Sequence, residues 1–275
     1  MDGELGDFLR TRRARIQPQD VGLPAYGRRR VPGLRREEVA QLAGVSVDYY
    51  VRLEQGRGPS VSDAVLDAIA RVLRLDAAEH DYLHTIARPR RRGGTAPVSP
   101  RVSRSVQLLL DGMDRNPAYV LDHRMDVLAW NSLADAVLGF SESDPAGLSL
   151  PRRAFLDPAA HALYPDWPAI AAQTVAHLRL SAGHHPDDRE LAALVGELSA
   201  RSEDFRRLWA DHVVKPCVCG VKHVQHPVAG LLVLPYETFT VPAAPDQTVV
   251  FYAPEPDSET AERLALLGSW ASTAR

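Results

Sequence analysis

Apolar and polar positions alternate with a helical period over most of the first ninety residues, and the pattern is clearest between residues 34 and 56. There Val39, Leu42 and Ala43 recur at the spacing of one helix face, and Ala40 is small where a second helix must cross closely. Gly44 tolerates the positive φ that ends such a helix, and Val45 fills the corner. Ser46 reads as the N-cap of a following helix whose Tyr50 and Leu53 face inward before Gly56 stops it. Leu5, Phe8 and Leu9 predict a helix before this pair. Val65, Leu66, Ile69, Val72 and Leu73 predict one after it, and Tyr82, Leu83 and Ile86 place a fifth over 77–87.

From about residue 101 the pattern changes. Val106, Leu109 and Leu110 suggest an opening helix, and 118–131 reads as two strands about a polar turn at 122–126. Helices are expected over 132–138, 167–180, 186–200 and 202–212. Strands are expected over 218–224, 228–234 and 248–252, and a closing helix over 259–271. Strands at each end around central helices imply an α+β domain with a mainly antiparallel sheet. The organisation expected is therefore multidomain: an all-α five-helix domain over 1–92, a Pro/Gly/Arg-rich linker over 93–102, and an α+β domain over 103–275.

The 34–56 pair has the form of a helix-turn-helix, which sets its second helix in the DNA major groove. An ordinary αα-hairpin has no need of the small, glycine and capping residues at those places. Charge agrees with a DNA-binding reading. Residues 1–92 carry 17 arginines against 13 carboxylates, whereas the whole chain has a formal charge of −3, so a basic module is joined to an acidic one. The only lysines are Lys215 and Lys222, and arginine forks suit phosphate and guanine. In the groove frame Val47, Asp48 and Tyr49 lie in the first turn of the second helix, with Arg52 one turn later. Arg52 would meet guanine O6 and N7, Asp48 cytosine N4, and Val47 a thymine methyl. Ser46 and Arg36, at helix starts, and Arg57 are expected near phosphates. Arg28, Arg29 and Arg30, in a long loop rich in Gly and Pro, would follow the backbone or enter a minor groove; a solvated charge run is the other reading.

The second domain offers aromatic surface with a few polar groups: Trp130, Trp167, Phe205 and Trp209, with Asn131, Arg179 and His212. That is the make-up of an apolar ligand site, although core filling accounts for any single aromatic as well. Arg179, a charge on an otherwise apolar helix, is the candidate partner for a ligand carboxylate; an internal acid would serve it equally. Cys217, Cys219, His223 and His226 form a Cys-x-Cys-x3-His-x2-His run, tighter than the spacing of structural zinc sites, so no metal is assigned. No G-x-S-x-G elbow, P-loop or H-E-x-x-H motif is present, and no enzyme is expected. Without an eighteen-residue apolar run or an N-terminal apolar core, the expectation is a soluble cytoplasmic protein with no membrane partner.

The run from Val31 to Arg57 resembles the MmyB-like branch of XRE-type helix-turn-helix regulators. So do Asp126-Val-Leu-Ala-Trp-Asn131, Leu178-Arg179, Ser202-Glu-Asp-Phe-Arg-Arg-Leu-Trp209, His226-Pro-Val-Ala-Gly230 and Leu267-Gly-Ser-Trp270. The similarity covers nearly the whole chain. Cys217-Val-Cys219 departs from the pattern, and many XRE-type regulators have Gln where Arg36 stands. The resemblance implies a bacterial transcription regulator with a PAS-like C-terminal domain that binds a fatty-acid-like small molecule and no other cofactor. The partners then expected are double-stranded DNA, a lipophilic ligand and a second copy in a homodimer. The alternative is a constitutive DNA-binding dimer whose C-terminal domain serves only dimerisation or protein contacts.

Overall fold

The computed structural model describes residues 2–24, 31–57, 61–88, 101–144, 148–211 and 219–273. Arg28, Arg29, Arg30, His212, Cys217 and most of the 93–102 linker lie outside the described residues. The chain divides into two compact units. The first comprises Met1–Arg92 with Arg179–Arg189 and Trp209–Lys215, and the second comprises Gly93–Leu178, Glu190–Leu208 and Pro216–Arg275.

In the first unit, five helices surround one core: α1 (Asp2–Arg15), α2 (Arg36–Ala43), α3 (Val47–Glu54), α4 (Asp63–Val72) and α5 (Ala77–Ala87). Phe8, Leu9, Leu34, Val39, Ala40, Tyr50, Leu53, Leu66, Ile69 and Leu83 are buried there, close to the faces that their spacing predicts. The turn between α2 and α3 is built as its residues require. Gly44 closes α2 at φ 70°, and its amide reaches back to the Ala40 and Gln41 carbonyls. Ser46 caps α3 by accepting the Tyr49 N–H. Gly6 is where α1 meets the end of α3: a Cβ there would stand 2.2 Å from the Glu54 carbonyl oxygen, so only glycine permits that approach. Leu42, expected inward, is exposed, because the inner stripe of α2 runs through Val39 and Ala40. A short 3₁₀ turn, Pro18–Val21, gives order to the start of the long connection after α1.

The second unit is built on a five-stranded antiparallel sheet in the order β2-β1-β5-β4-β3. The strands are β1 (Ala118–Leu121), β2 (Val127–Trp130), β3 (Cys219–His226), β4 (Gly230–Val241) and β5 (Ala244–Tyr252). Strand β1, between β2 and β5, is buried on both faces. Tyr119 and Leu121 join the main core with Leu232, Leu234, Tyr236 and Tyr252, while Ala118 and Val120 meet α6 (Arg104–Asp111) through Leu110. Leu109, expected inward, is exposed on α6. The main core is closed by α7 (Ser132–Leu138) and α13 (Glu259–Thr273), with α8 (Leu150–Leu156), α9 (Ala160–Leu163) and α10 (Trp167–His184) between. Two further helices, α11 (Arg189–Arg201) and α12 (Glu203–Ala210), precede β3.

Two departures from the sequence expectation have local causes. β4 continues past Pro235, where the strand was expected to stop at 234. The ring removes one amide donor, yet the Pro235 carbonyl still accepts the Ala253 N–H at 2.8 Å. Helices α8 and α9 were not expected; Pro151 sits in the first turn of α8, where its missing N–H costs no helical bond.

Candidate nucleic-acid interface and ligand-domain interior

α3 turns Tyr50, Leu53 and Glu54 into the core, which leaves Val47, Asp48 and Arg52 exposed on its other side and Tyr49 half-buried. Asp48 and Arg52 face each other one turn apart at 2.8 Å, both well solvated. Such an exposed i,i+4 pair is worth about 0.3–0.5 kcal/mol, so an approaching base edge separates it at small cost. Gln55 and Arg57 extend the exposed side beyond the helix. Gln55 continues the Val47–Val51 line at a spacing of four, a period that the sequence reading left unused.

The orientation of α3 rests on a buried carboxylate. Glu54, whose side chain is wholly enclosed, receives the Arg13 guanidinium through two parallel bonds of 2.9 Å. Arg36 joins it from the first turn of α2, with Nε at 3.0 Å and Nη2 at 2.9 Å. Arg13 also donates to the Leu34 carbonyl at 2.7 Å, so one charge cluster ties α1, α2, α3 and the segment before α2 together. Burial alone would push the Glu54 carboxyl up; the bonds and charge of Arg13, then of Arg36, outweigh it and hold it below its ordinary 4.5. The guanidinium of Arg36, expected at phosphate, is therefore shared with Glu54 and remains partly exposed. Of the four arginines on α1, Arg10, Arg12, Arg13 and Arg15, Arg12 and Arg13 are buried in ion pairs, Arg12 with Glu79 of α5 at 2.9 Å.

The described residues among the seven proposed for a ligand are divided between the units. Trp130 and Phe205 lie in the second, Trp130 at 5.5 Å from Phe140 and Phe205 edge-on to Phe155 at 5.1 Å. Phe155 also meets Trp167, whose indole N–H donates to the Ala154 carbonyl. Asn131 has a structural task. Its side-chain oxygen accepts the N–H groups of Ala118 and Ala134, and its amide donates to the Met113 and Asn116 carbonyls. These four bonds account for its donors and for both oxygen lone pairs. Arg179 and Trp209 belong to the first unit, where the guanidinium lies 4.2 Å over the indole ring and donates to the Trp209 carbonyl.

Two polar groups of the second unit escaped the sequence reading. Arg153 on α8, two residues before Phe155 in sequence, has an enclosed Nη1 with no hydrogen-bond partner among the described residues. His177 on α10 has a similarly enclosed Nε2. Desolvation lowers its pKa to about 4 against the opposing charge of Asp122, which keeps the ring neutral at neutral pH. The only sequence signal for either was a charged or polar residue interrupting an apolar helix. His226 holds both ring nitrogens in hydrogen bonds: Nε2 with the Ala136 carbonyl, and Nδ1 with the Val228 and Ala229 amides. Neither nitrogen is left for a metal.

A family profile described as "MmyB-like transcription regulator ligand binding domain" matches residues 102–267, and one described as "Helix-turn-helix domain" matches residues 4–83. Comparison with curated proteins finds no match.

The Glu54 cluster makes a pH prediction. A carboxyl whose folded pKa is depressed contributes stability above its unfolded pKa and loses it as pH falls through the folded value. Amide exchange of α1–α3 should therefore report a loss of protection below pH 4.5 that is missing in Glu54→Gln. At pH 7, Glu54→Leu should lower the opening free energy by about 3–5 kcal/mol, since Arg13 is left buried without a counter-charge. An unchanged exchange profile in Glu54→Leu contradicts this assignment.

Proposed function

This chain belongs to the MmyB-like transcription regulator family, and from that premise we propose that α3 reads the major groove while the second unit binds a lipophilic carboxylate that tunes DNA affinity. The chain is a DNA-binding regulator with a ligand-binding domain; the residues and the ligand chemistry are the proposal. The observation that carries the DNA assignment is the sidedness of α3: three residues locked into the core, and Val47, Asp48 and Arg52 outward. Arg52 leaves Asp48 to take guanine O6 and N7, and Asp48 becomes available to cytosine N4. Tyr49 adds a contact at the groove edge. Ser46, Arg36, Arg57 and Arg28–Arg30 supply phosphate contacts that position the helix without reading sequence. Two copies bind half-sites about one helical turn, roughly 34 Å, apart.

The ligand reading is supported by the aromatic interior around Phe155, Trp167 and Phe205 and by the unpartnered Nη1 of Arg153. An enclosed cationic nitrogen without an acceptor is costly, and a carboxylate headgroup would relieve it. Arg153 is the anchor proposed within the second unit, and Arg179, whose guanidinium lies over the Trp209 ring, remains the anchor proposed in the first. Trp130 and Phe205 supply apolar surface to the chain of the ligand. Since a ligand shifts an equilibrium only by its differential affinity, the bound acyl chain must prefer one arrangement of the dimer.

Site selection from a random duplex library tests the groove assignment. Arg52→Ala should relax preference at one base position, worth about 1–3 kcal/mol, while the salt slope stays near −0.9 per phosphate contact. An unchanged selected profile removes α3 from the groove.

Calorimetry with straight-chain fatty acids tests the ligand. Each added methylene should strengthen binding about fourfold until the site is filled. Arg153→Ala should weaken the acid tenfold or more and leave the matching alcohol unaffected. If no chain length binds the well-folded protein, the domain serves dimerisation alone.

A further inference from the structure

The helical unit carries a second constellation, on α4 and α5, that DNA reading does not use. His80 and His84 stand one turn apart on α5, their rings 4.5 Å from each other. Both direct Nε2 at the same atom, Oδ1 of Asp67 on α4, each at 2.9 Å. One nitrogen from each ring and one carboxylate oxygen thus fall within 4.8 Å of one another. A tetrahedral ion with bonds of about 2.05 Å separates its ligand atoms by roughly 3.3 Å, so each nitrogen needs to part from the Asp67 oxygen by only a few tenths of an ångström.

The far side of each ring points the same way. Nδ1 of His84 faces Oδ1 of Asp63 at 3.3 Å, and Nδ1 of His80 faces Oδ1 of Asp81 at 3.7 Å. A carboxylate behind a ligating imidazole is the usual means of fixing a metal-binding tautomer: it accepts the Nδ1–H and leaves Nε2 with a lone pair. Asp63 stands near enough to do this for His84, whereas 3.7 Å is too long for a hydrogen bond between His80 and Asp81. A lone pair aimed at a carboxylate oxygen repels it unless a cation stands between them. The surroundings favour one, with Asp63, Asp67 and Asp81 gathered there and, among the described ion pairs of these carboxylates, only the Arg88 guanidinium opposing them, 2.8 Å from Asp63. The side chains are between about a quarter and a half exposed, leaving an entry path and room for water as a fourth ligand.

The geometry points to a binding site for a divalent transition ion of the zinc type, held by Asp67, His80 and His84. Imidazole with one carboxylate suits zinc, cobalt or nickel and does not suit calcium or magnesium, which take all-oxygen shells. Bound there, the ion joins α4 to α5 and stabilises the helical unit whether or not the ligand domain is filled.

The test uses chelator-stripped full-length protein, titrated with Zn²⁺ by calorimetry and with Co²⁺ by visible absorption. One Zn²⁺ per chain should bind at micromolar or tighter affinity. Co²⁺ should give tetrahedral d–d bands without a thiolate charge-transfer band, and Cys217→Ser/Cys219→Ser should leave the spectrum unchanged. His84→Ala and Asp67→Asn should each weaken Zn²⁺ at least tenfold and abolish a Zn²⁺-dependent rise of several degrees in Tm. His80→Gln, which keeps a polar side chain at the helix surface, should do the same and guards against a folding defect. No stoichiometric binding, equal binding in the three variants, or a thiolate band lost with the cysteines overturns the site.

Discussion

The helical unit depends on a carboxylate placed where water cannot reach it. Glu54 ends α3, and with its charge enclosed it must be met by Arg13 from α1 and Arg36 from α2. Desolvated ion pairs contribute little net stability, but they are strongly directional, because any other arrangement leaves a buried charge unmatched. That directionality fixes the rotation of α3 about its axis. With Glu54 held inward, Tyr50 and Leu53 follow it into the core, and Val47, Asp48 and Arg52 have only the outer side. Gly6 supports the same contact by letting α1 approach the Glu54 backbone. The face offered to DNA is thus set from behind the helix.

In the second unit a comparable task falls to Asn131. One side chain caps α7, closes the start of β1 and holds two carbonyls of the segment before it. It joins the sheet to the helix that covers it, so the aromatic interior forms against a fixed frame. Arg153 Nη1 and His177 Nε2 are among the enclosed polar atoms that find no hydrogen-bond partner among the described residues.

What could be read in the sequence was what depends on neighbours along the chain. The five helices, the Gly44 turn and the Ser46 cap are local signals, and they lie where the periodicity places them. The α+β character of the second unit followed from strand-like runs at both ends. Contacts across the chain were hidden: Arg13 and Glu54 are 41 residues apart, and nothing beside Arg13 in sequence marks its partner. The same holds for Asp67, whose two histidines come 13 and 17 residues later across a helix–helix contact. The structural task of Asn131 was hidden likewise, since Met113, Asn116 and Ala118, which it holds, lie 13 to 18 residues earlier in the chain. Pro151 gave no sign of the helix it opens, since its missing N–H falls in the first turn, where no helical bond is lost.

Amide hydrogen exchange of the full-length protein with and without a selected DNA duplex tests the central claim most directly, because it reports each helix separately. The account predicts that DNA slows exchange from Ser46 through Arg52 and at the start of α2, with α4 and α5 nearly unchanged. Protection centred on α4 and α5, with the first turn of α3 exchanging as fast as in the free protein, would contradict it.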